Sequence, residues 1–185
     1  TALGAEEVSA HLADFLSDKK DGIYLSTACP SFVEYVNKYL PDLSVNLTPV
    51  MSPLLAHCKI MRKEFGEDIK IVFVGPCIAK KFEADKNSSL LNLSISFRDL
   101  RRWLREKGIN YHNIEPQKGI DFVYKHASKG RYYPIEGGMI ETIKQYGKTD
   151  NVYMMQLTGL NNIKRELCTI KESLPDVPVF IECLA

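Results

Sequence analysis

The 185 residues are 45% apolar, 25% charged and 10% aromatic, a balance that folds as one domain or two closely joined lobes and excludes a disordered chain. Lys and Arg number 24 against 23 Asp and Glu, so the net charge of +1 gives no sustained basic field for a nucleic-acid or membrane-surface partner. No apolar run reaches the roughly 20 residues of a membrane span, and the first residues carry no secretion signal, so the expected location is the cytoplasm.

Along the chain, Val8, Leu12, Phe15 and Leu16 fall on one helical face within residues 5–18. Gly22 ends that helix, and Ile23 to Ser26 reads as a short strand. Thr27-Ala28-Cys29-Pro30 is a turn, and Ser31 opens a helix to about Leu40; a proline at a helix start fits its fixed backbone angle. Ser52 and Pro53 open a helix to about Phe65. Ile69 to Val74, β-branched and aromatic, is the clearest strand and runs into Gly75-Pro76-Cys77. Residues 90–95 read as another strand, after which Ser96 caps a helix carrying Leu100, Trp103 and Leu104.

Gly108 to Pro134 is the least regular stretch and is expected at the surface. Glu136-Gly137-Gly138-Met139 leads into a helix to about Tyr146. Val152 to Leu157 is a strand, 159–173 a helix, and Val177 to Glu182 a final strand. Strands separated by helices predict an α/β fold of mostly parallel sheets flanked by helices, arranged in two lobes that join somewhere in 84–135. In such sheets chemistry gathers at the carboxyl ends of the strands.

The cysteines are Cys29, Cys58, Cys77, Cys168 and Cys183, an odd number at wide and irregular spacings. They form no disulfide framework by pattern, and with no CxxC or HExxH there is no self-contained zinc site. Cys58 and Cys168 fall inside amphipathic helices, where free cysteine is ordinarily a small buried hydrophobe. Cys29, Cys77 and Cys183 are expected at strand ends. Cys29 and Cys77 each adjoin a proline in a turn, where a sulfur can face a cleft.

Those two turns carry a family pattern. Ser26-Thr27-Ala28-Cys29-Pro30 resembles the TSCCP motif of FeFe-hydrogenases, and Gly75-Pro76-Cys77-Ile78-Ala79-Lys80-Lys81-Phe82-Glu83 resembles their MPCxxKxxE motif. Phe180-Ile181-Glu182-Cys183-Leu184-Ala185 resembles the start of the third, ExMAC. Thr1 to Ala5 resembles the TAFGAD segment, Ser52-Pro53 the SPQQ segment, and Glu136 to Glu141 the TGGVMEA segment, all in the family's order.

The resemblance implies the active-site domain of an FeFe-hydrogenase large subunit. Its cofactor is the H-cluster, a 4Fe–4S cubane joined through a cysteine to a di-iron unit. Soft thiolates match cluster iron. By the resemblance, Cys29 and Cys77 are two cubane ligands and the other two lie beyond Ala185. Cys183 occupies a variable position and is no ligand. Lys80 is implied to donate a hydrogen bond to a cyanide of the cofactor, with Ser52, Gly75, Pro76 and Glu83 lining its site. Glu83 can equally pair with a neighbouring cation.

The resemblance also implies a truncated domain, with ferredoxin-like domains upstream in the full-length chain and a PAS-type signalling module downstream. The chain alone is then expected to carry no cluster.

Several positions depart from the catalytic pattern. Ala28 stands where catalytic members have a proton-relaying cysteine, so no catalytic residue is assigned and the relay is broken. Leu54 and Leu55 replace the two glutamines of SPQQ. Gly75 and Leu184 replace methionines, which implies more room at the site. The expected function is a hydrogen or redox sensor with slow or no turnover. The alternatives are a non-hydrogenase iron–sulfur assembly-factor relative and a catalytic hydrogenase fragment. The turns at Cys29 and Cys77 are expected to open on a shared cleft.

Overall fold

Every strand pairing among the described residues is parallel, as the alternation of strands and helices predicts. The computed structural model describes residues 1–115, 117–119, 124–172 and 176–185. The chain forms two compact units, the first Thr1–His57 with Ala127–Ala185 and the second Cys58–His126.

In the first unit, β1 (Ile23–Leu25), β5 (Val179–Leu184) and β4 (Tyr153–Thr158) lie in the order β1-β5-β4. Central β5 is buried along both faces up to Cys183, which is why its sequence shows an apolar run rather than alternation. Val179, Ile181 and Cys183 point to one side and pack with Ile23, Leu25, Leu157, Phe32 and Val36 of α2 (Pro30–Tyr39), and Ile163 and Leu167 of α7 (Leu160–Glu172). Phe180 points to the other side, among Val8, Leu12 and Leu16 of α1 (Ala2–Ser17) and Met139, Ile140 and Ile143 of α6 (Gly138–Lys144). Each of these fully buried side chains contributes about 1.5–3 kcal/mol of transfer free energy.

The second unit pairs β2 (Val72–Gly75) with β3 (Leu93–Ser96), flanked by α4 (Ala79–Lys86) and α5 (Phe97–Glu106). α3 (Pro53–Phe65) begins in the first unit and ends in the second. β2 starts three residues later than the Ile69–Val74 pattern predicts. The Ile71 N–H is taken by the Asn92 side chain at 2.8 Å, and the ladder opens only at Val72 opposite Leu93. Residues 90 and 91, predicted as strand, instead close a turn onto the Asn87 carbonyl.

Arg62 is buried beneath this turn. It donates to the Leu90 carbonyl at 3.0 Å, to Asn92 Oδ1 at 3.1 Å and to the Glu67 carbonyl. Ser96 caps α5 as predicted, within a capping box completed by Asp99.

Two further expectations change. Cys168 is exposed, because the buried row of α7 is Ile163, Leu167 and Ile170, and the residue after Leu167 is turned about 100° away. Cys183 lies inside β5 rather than past its end. The stretch from Gly108 lies partly outside the described residues, and those described are mostly exposed, as expected, with Gly130 buried. There the Glu6 carboxylate accepts from the amides of Ser128, Lys129 and Gly130 at 2.8, 3.0 and 3.3 Å.

Candidate iron–sulfur site

The parallel sheet of the first unit delivers the ends of its three strands to one edge. β1 ends there and turns through Ser26 to Cys29, which is the N-cap of α2 with Pro30 in the first turn. The cap position sets the sulfur beside the partial positive charge of the helix start, which suits an anionic ligand.

The turn is held from several sides. The Ser26 amide donates to the Ile181 carbonyl at 3.0 Å, and the Thr48 amide to the Leu25 carbonyl at 2.9 Å. Thr27 Oγ1 donates to the Val50 carbonyl at 2.7 Å. The Ala28 amide donates to Ser26 Oγ at 3.2 Å, and Ser26 Oγ donates to Met139 Sδ at 3.1 Å. The Cys29 sulfur is half-exposed and lies 4.0 Å from the Ala185 carbonyl oxygen, at the end of β5. Three separated segments of the sequence, 26–29, 137–140 and 181–185, thus share this edge.

Glu182 ties two of those segments together. Its side chain is 3% exposed, and Oε2 accepts from the Ile140 amide at 3.2 Å, at the start of α6. Burial raises its carboxyl pKa, and the amides of Ile140 and Met139 only partly offset this. A raised folded pKa adds stability below the unfolded value near 4.5, and that stability is lost as pH rises through the folded pKa. Glu182→Gln, which mimics the protonated acid, is therefore expected to be more stable than the wild type at pH 8. The difference should shrink towards pH 4. Urea unfolding of both proteins across that window measures it, and parallel curves would show that Glu182 titrates as a free carboxyl.

Cys183, one residue on, faces the opposite side of β5. Burial first, then the neighbouring Cys29 and Glu182, push its thiol up to about 12, so it stays a neutral core residue. Cys58 is buried as well, and burial raises its pKa.

In the second unit, β2 ends at Gly75, and Pro76 and Cys77 follow as an exposed turn before α4. The Lys80 amide donates to the Cys77 carbonyl at 3.3 Å. Lys80 Nζ is mostly buried and pairs with the buried Glu83 carboxylate at 2.8 Å. Glu83 therefore does pair with a neighbouring cation, and that cation is Lys80 itself. An ammonium has three donors, so Lys80 retains two beyond this pair.

Gly75 leaves no extra room at this turn. A Cβ built there would meet Phe73 Cζ at 2.5 Å, so the aromatic ring fills the space that the lost methionine was expected to vacate. Ser52 is buried, and its hydroxyl accepts from the Leu55 amide at 3.3 Å, capping α3. Leu54 and Leu55 are buried in the same first turn.

Cys29, Ala28 and Ser52 belong to the first unit, and Gly75, Pro76, Cys77, Lys80 and Glu83 to the second. Among the described residues no group of three or more His, Cys, Asp or Glu is placed to hold a metal ion. Residue patterns alone missed Ser26, Thr27 and Met139 as the supports of the Cys29 turn, and Glu182 as its link to α6. Only Glu182 had a signal, as the glutamate of the third motif.

Comparison with known proteins identifies the family and the fold. Residues 1–182 match the family model described as iron only hydrogenase large subunit, C-terminal domain. Iron hydrogenase 1 of Clostridium pasteurianum is 25% identical over 174 residues, which cover 83% of this chain and 30% of that protein. A variant of FeFe-hydrogenase HydA1 from Chlamydomonas reinhardtii superposes with a TM-score of 0.67 at 16% identity, over 100% of this chain and 64% of that one. A FeFe-hydrogenase structure describing oxygen inactivation through degradation of the H-cluster 2Fe subcluster gives 0.68 at 16% identity, over 98% and 63%. The chain thus spans less than a third of the curated relative and under two thirds of these solved structures, which share its α/β fold. With the motif blocks in family order and the family model matched from Thr1 to Glu182, the chain belongs to the family formed by the C-terminal domain of the iron-only hydrogenase large subunit.

Proposed function

We propose that this chain is the H-cluster domain of a hydrogen- or redox-sensing protein with slow or no turnover. The observation that carries the proposal is Ala28. It sits in the turn that presents Cys29, half-exposed, with its amide spent on Ser26 Oγ and a methyl group where a proton relay needs a titratable atom. The proposal also places the full-length protein in the cytoplasm, with ferredoxin-like domains upstream and a PAS-type module downstream, and without nucleic-acid or membrane partners. Among the described residues no helix is long and apolar enough to cross a membrane.

Cys29 and Cys77 are proposed as two of the four thiolates of a cubane, on the family motifs that carry them and on the soft sulfur donors they offer. Cys29 and Cys77 are free thiols in turns at strand ends, while Cys58 and Cys183 are buried. The two remaining thiolates are proposed to follow Ala185, whose carbonyl already lies beside the Cys29 sulfur. Bound there, the cluster would supply electron transfer and its di-iron unit the hydrogen chemistry. The chain's own part is to hold and orient. The cap of α2 fixes Cys29, the Cys77 turn leads into α4, and Lys80 offers two donors from a position that Glu83 anchors. An ammonium so placed is a compact positive charge for an anionic ligand of the iron.

Anaerobic reconstitution of the full-length protein tests this assignment. Cys29→Ser and Cys77→Ser are each expected to hold about four iron and four acid-labile sulfide fewer per chain than the wild type, Cys168→Ser and Cys183→Ser. The electron paramagnetic resonance signal of any upstream clusters should remain in all of them. Iron and sulfide at the wild-type level in both Cys29→Ser and Cys77→Ser would overturn the assignment. A full-length protein that holds the cubane but refuses a di-iron unit would favour the assembly-factor alternative.

A further inference from the structure

α5 distributes its charges unevenly. At about 100° per residue, Arg98, Arg101, Arg102 and Arg105 lie at i, i+3, i+4 and i+7 and fill a single arc of about 100°. All four are exposed. Asp99 and Glu106 lie together on one side of that arc, and Phe97, 47% exposed, borders the other. Leu100 and Leu104, the half-buried leucines of the helix, lie beyond Phe97.

The neighbouring acids do not neutralise the arc. Asp99 accepts from Lys81 at 2.6 Å and from the Ser96 amide and hydroxyl at 2.9 and 2.8 Å, which holds its carboxyl far below the usual range. Arg102 approaches Asp99 and Glu106 only at 3.8 Å. Arg98, Arg101 and Arg105 make no ion pair among the described residues.

A face that needs only solvation mixes its signs, because like charges three and four residues apart destabilise a helix. Here every such pair along the arc is Arg–Arg. The surrounding unit is basic too, with 14 Lys and Arg against 9 Asp and Glu between residues 58 and 126.

We propose that the α5 arginine stripe is a docking surface for a protein partner that presents a row of carboxylates. The guanidinium fork takes carboxylates in pairs, and Phe97 offers that partner an apolar contact at the stripe's edge. The acids beside the stripe favour a localised carboxylate row over a polyanion, whose extended field they repel. The surface is independent of cluster binding, so its failure would leave the iron–sulfur assignment untouched.

The test is a titration of this chain into a fluorescein-labelled helical peptide with glutamates at i, i+3, i+4 and i+7, read by anisotropy. The peptide should bind the wild type, more weakly as salt rises. Its dissociation constant should increase at least roughly tenfold for the triple variant Arg98→Gln, Arg101→Gln, Arg105→Gln. Trp103, the only tryptophan and part of the same helix, gives the folding control through unchanged emission. If that control fails, Arg101→Gln alone replaces the triple variant, and a weaker dissociation constant is still expected. Equal peptide binding by wild type and variant, or none by either, would overturn the proposal. Tighter binding of an oligothymidylate or of phosphatidylserine vesicles than of the peptide would also overturn it, by assigning the stripe to phosphates.

Discussion

Ala28→Cys is expected to raise hydrogen turnover of the matured full-length protein by about 10²- to 10⁴-fold, the range that a positioned proton-transfer group supplies. The turn is built to receive the substitution. Its backbone is fixed by the Ser26 amide on Ile181, by Thr27 on Val50 and by the cap at Cys29, none of which uses the Ala28 side chain. Adding one sulfur to a half-exposed methyl group leaves that frame in place. The gain should fall towards the lower end of the range, because Leu54 and Leu184 also depart from the catalytic pattern and the Phe73 ring crowds Gly75. Hydrogen uptake with an artificial acceptor measures it, alongside infrared quantification of the cofactor. Activity that stays at zero in protein shown to hold the complete cofactor would count against the sensing proposal.

The α/β class was legible because both periods are strong. The row Val8, Leu12, Phe15 and Leu16 is helical, and the run Val179 to Ile181 is a strand buried on both faces. Strand limits were less legible. At Ile71 a side chain, Asn92, takes the amide that a ladder partner would otherwise bind, and no local pattern announces that exchange. The motif cysteines and their order were readable, and so was the neutrality of Cys183. Their supports were not. Glu182 meets Ile140 across 42 residues, and Glu6 meets Ser128 across 122, so both partnerships exist only once the chain has folded. The expectation for Cys168 failed for a simpler reason. An amphipathic helix shows which residues are apolar, but a residue at the stripe's edge turns outward when its neighbour already fills the core. The unit boundary after His57 falls inside α3, where composition does not change.

Two of the motif blocks carry glycines whose role is packing, and the largest stability loss is expected there. At Gly138 a Cβ would lie 1.9 Å from the Tyr132 carbonyl oxygen and 2.7 Å from its carbon. At Gly4 it would lie 2.0 Å from the Pro53 carbonyl oxygen and 2.5 Å from the His57 amide nitrogen. Both clashes are with backbone, which cannot swing aside as a side chain can. Gly138→Ala must push α6 away from residues 130–133, and with it the amide that Glu182 accepts. A loss of about 3 kcal/mol or more is expected, at the upper end for overpacking. For a protein of this size that lowers Tm by roughly 6–12 °C. Gly147 provides the comparison, since its φ of 64° is left-handed but a Cβ there meets nothing within 4 Å. Gly147→Ala should therefore cost only the backbone strain, about 1–2 kcal/mol. Urea unfolding of the two variants separates the causes: a Gly138→Ala protein as stable as Gly147→Ala would mean that the α6 layer can move. Gly137, the left-handed N-cap before α6, falls between them, because its Cβ would meet only the flexible end of Gln156 at 2.8 Å. The pair Gly137-Gly138 then divides its work, the first glycine for backbone conformation and the second for the closeness of two backbones beside the Cys29 turn.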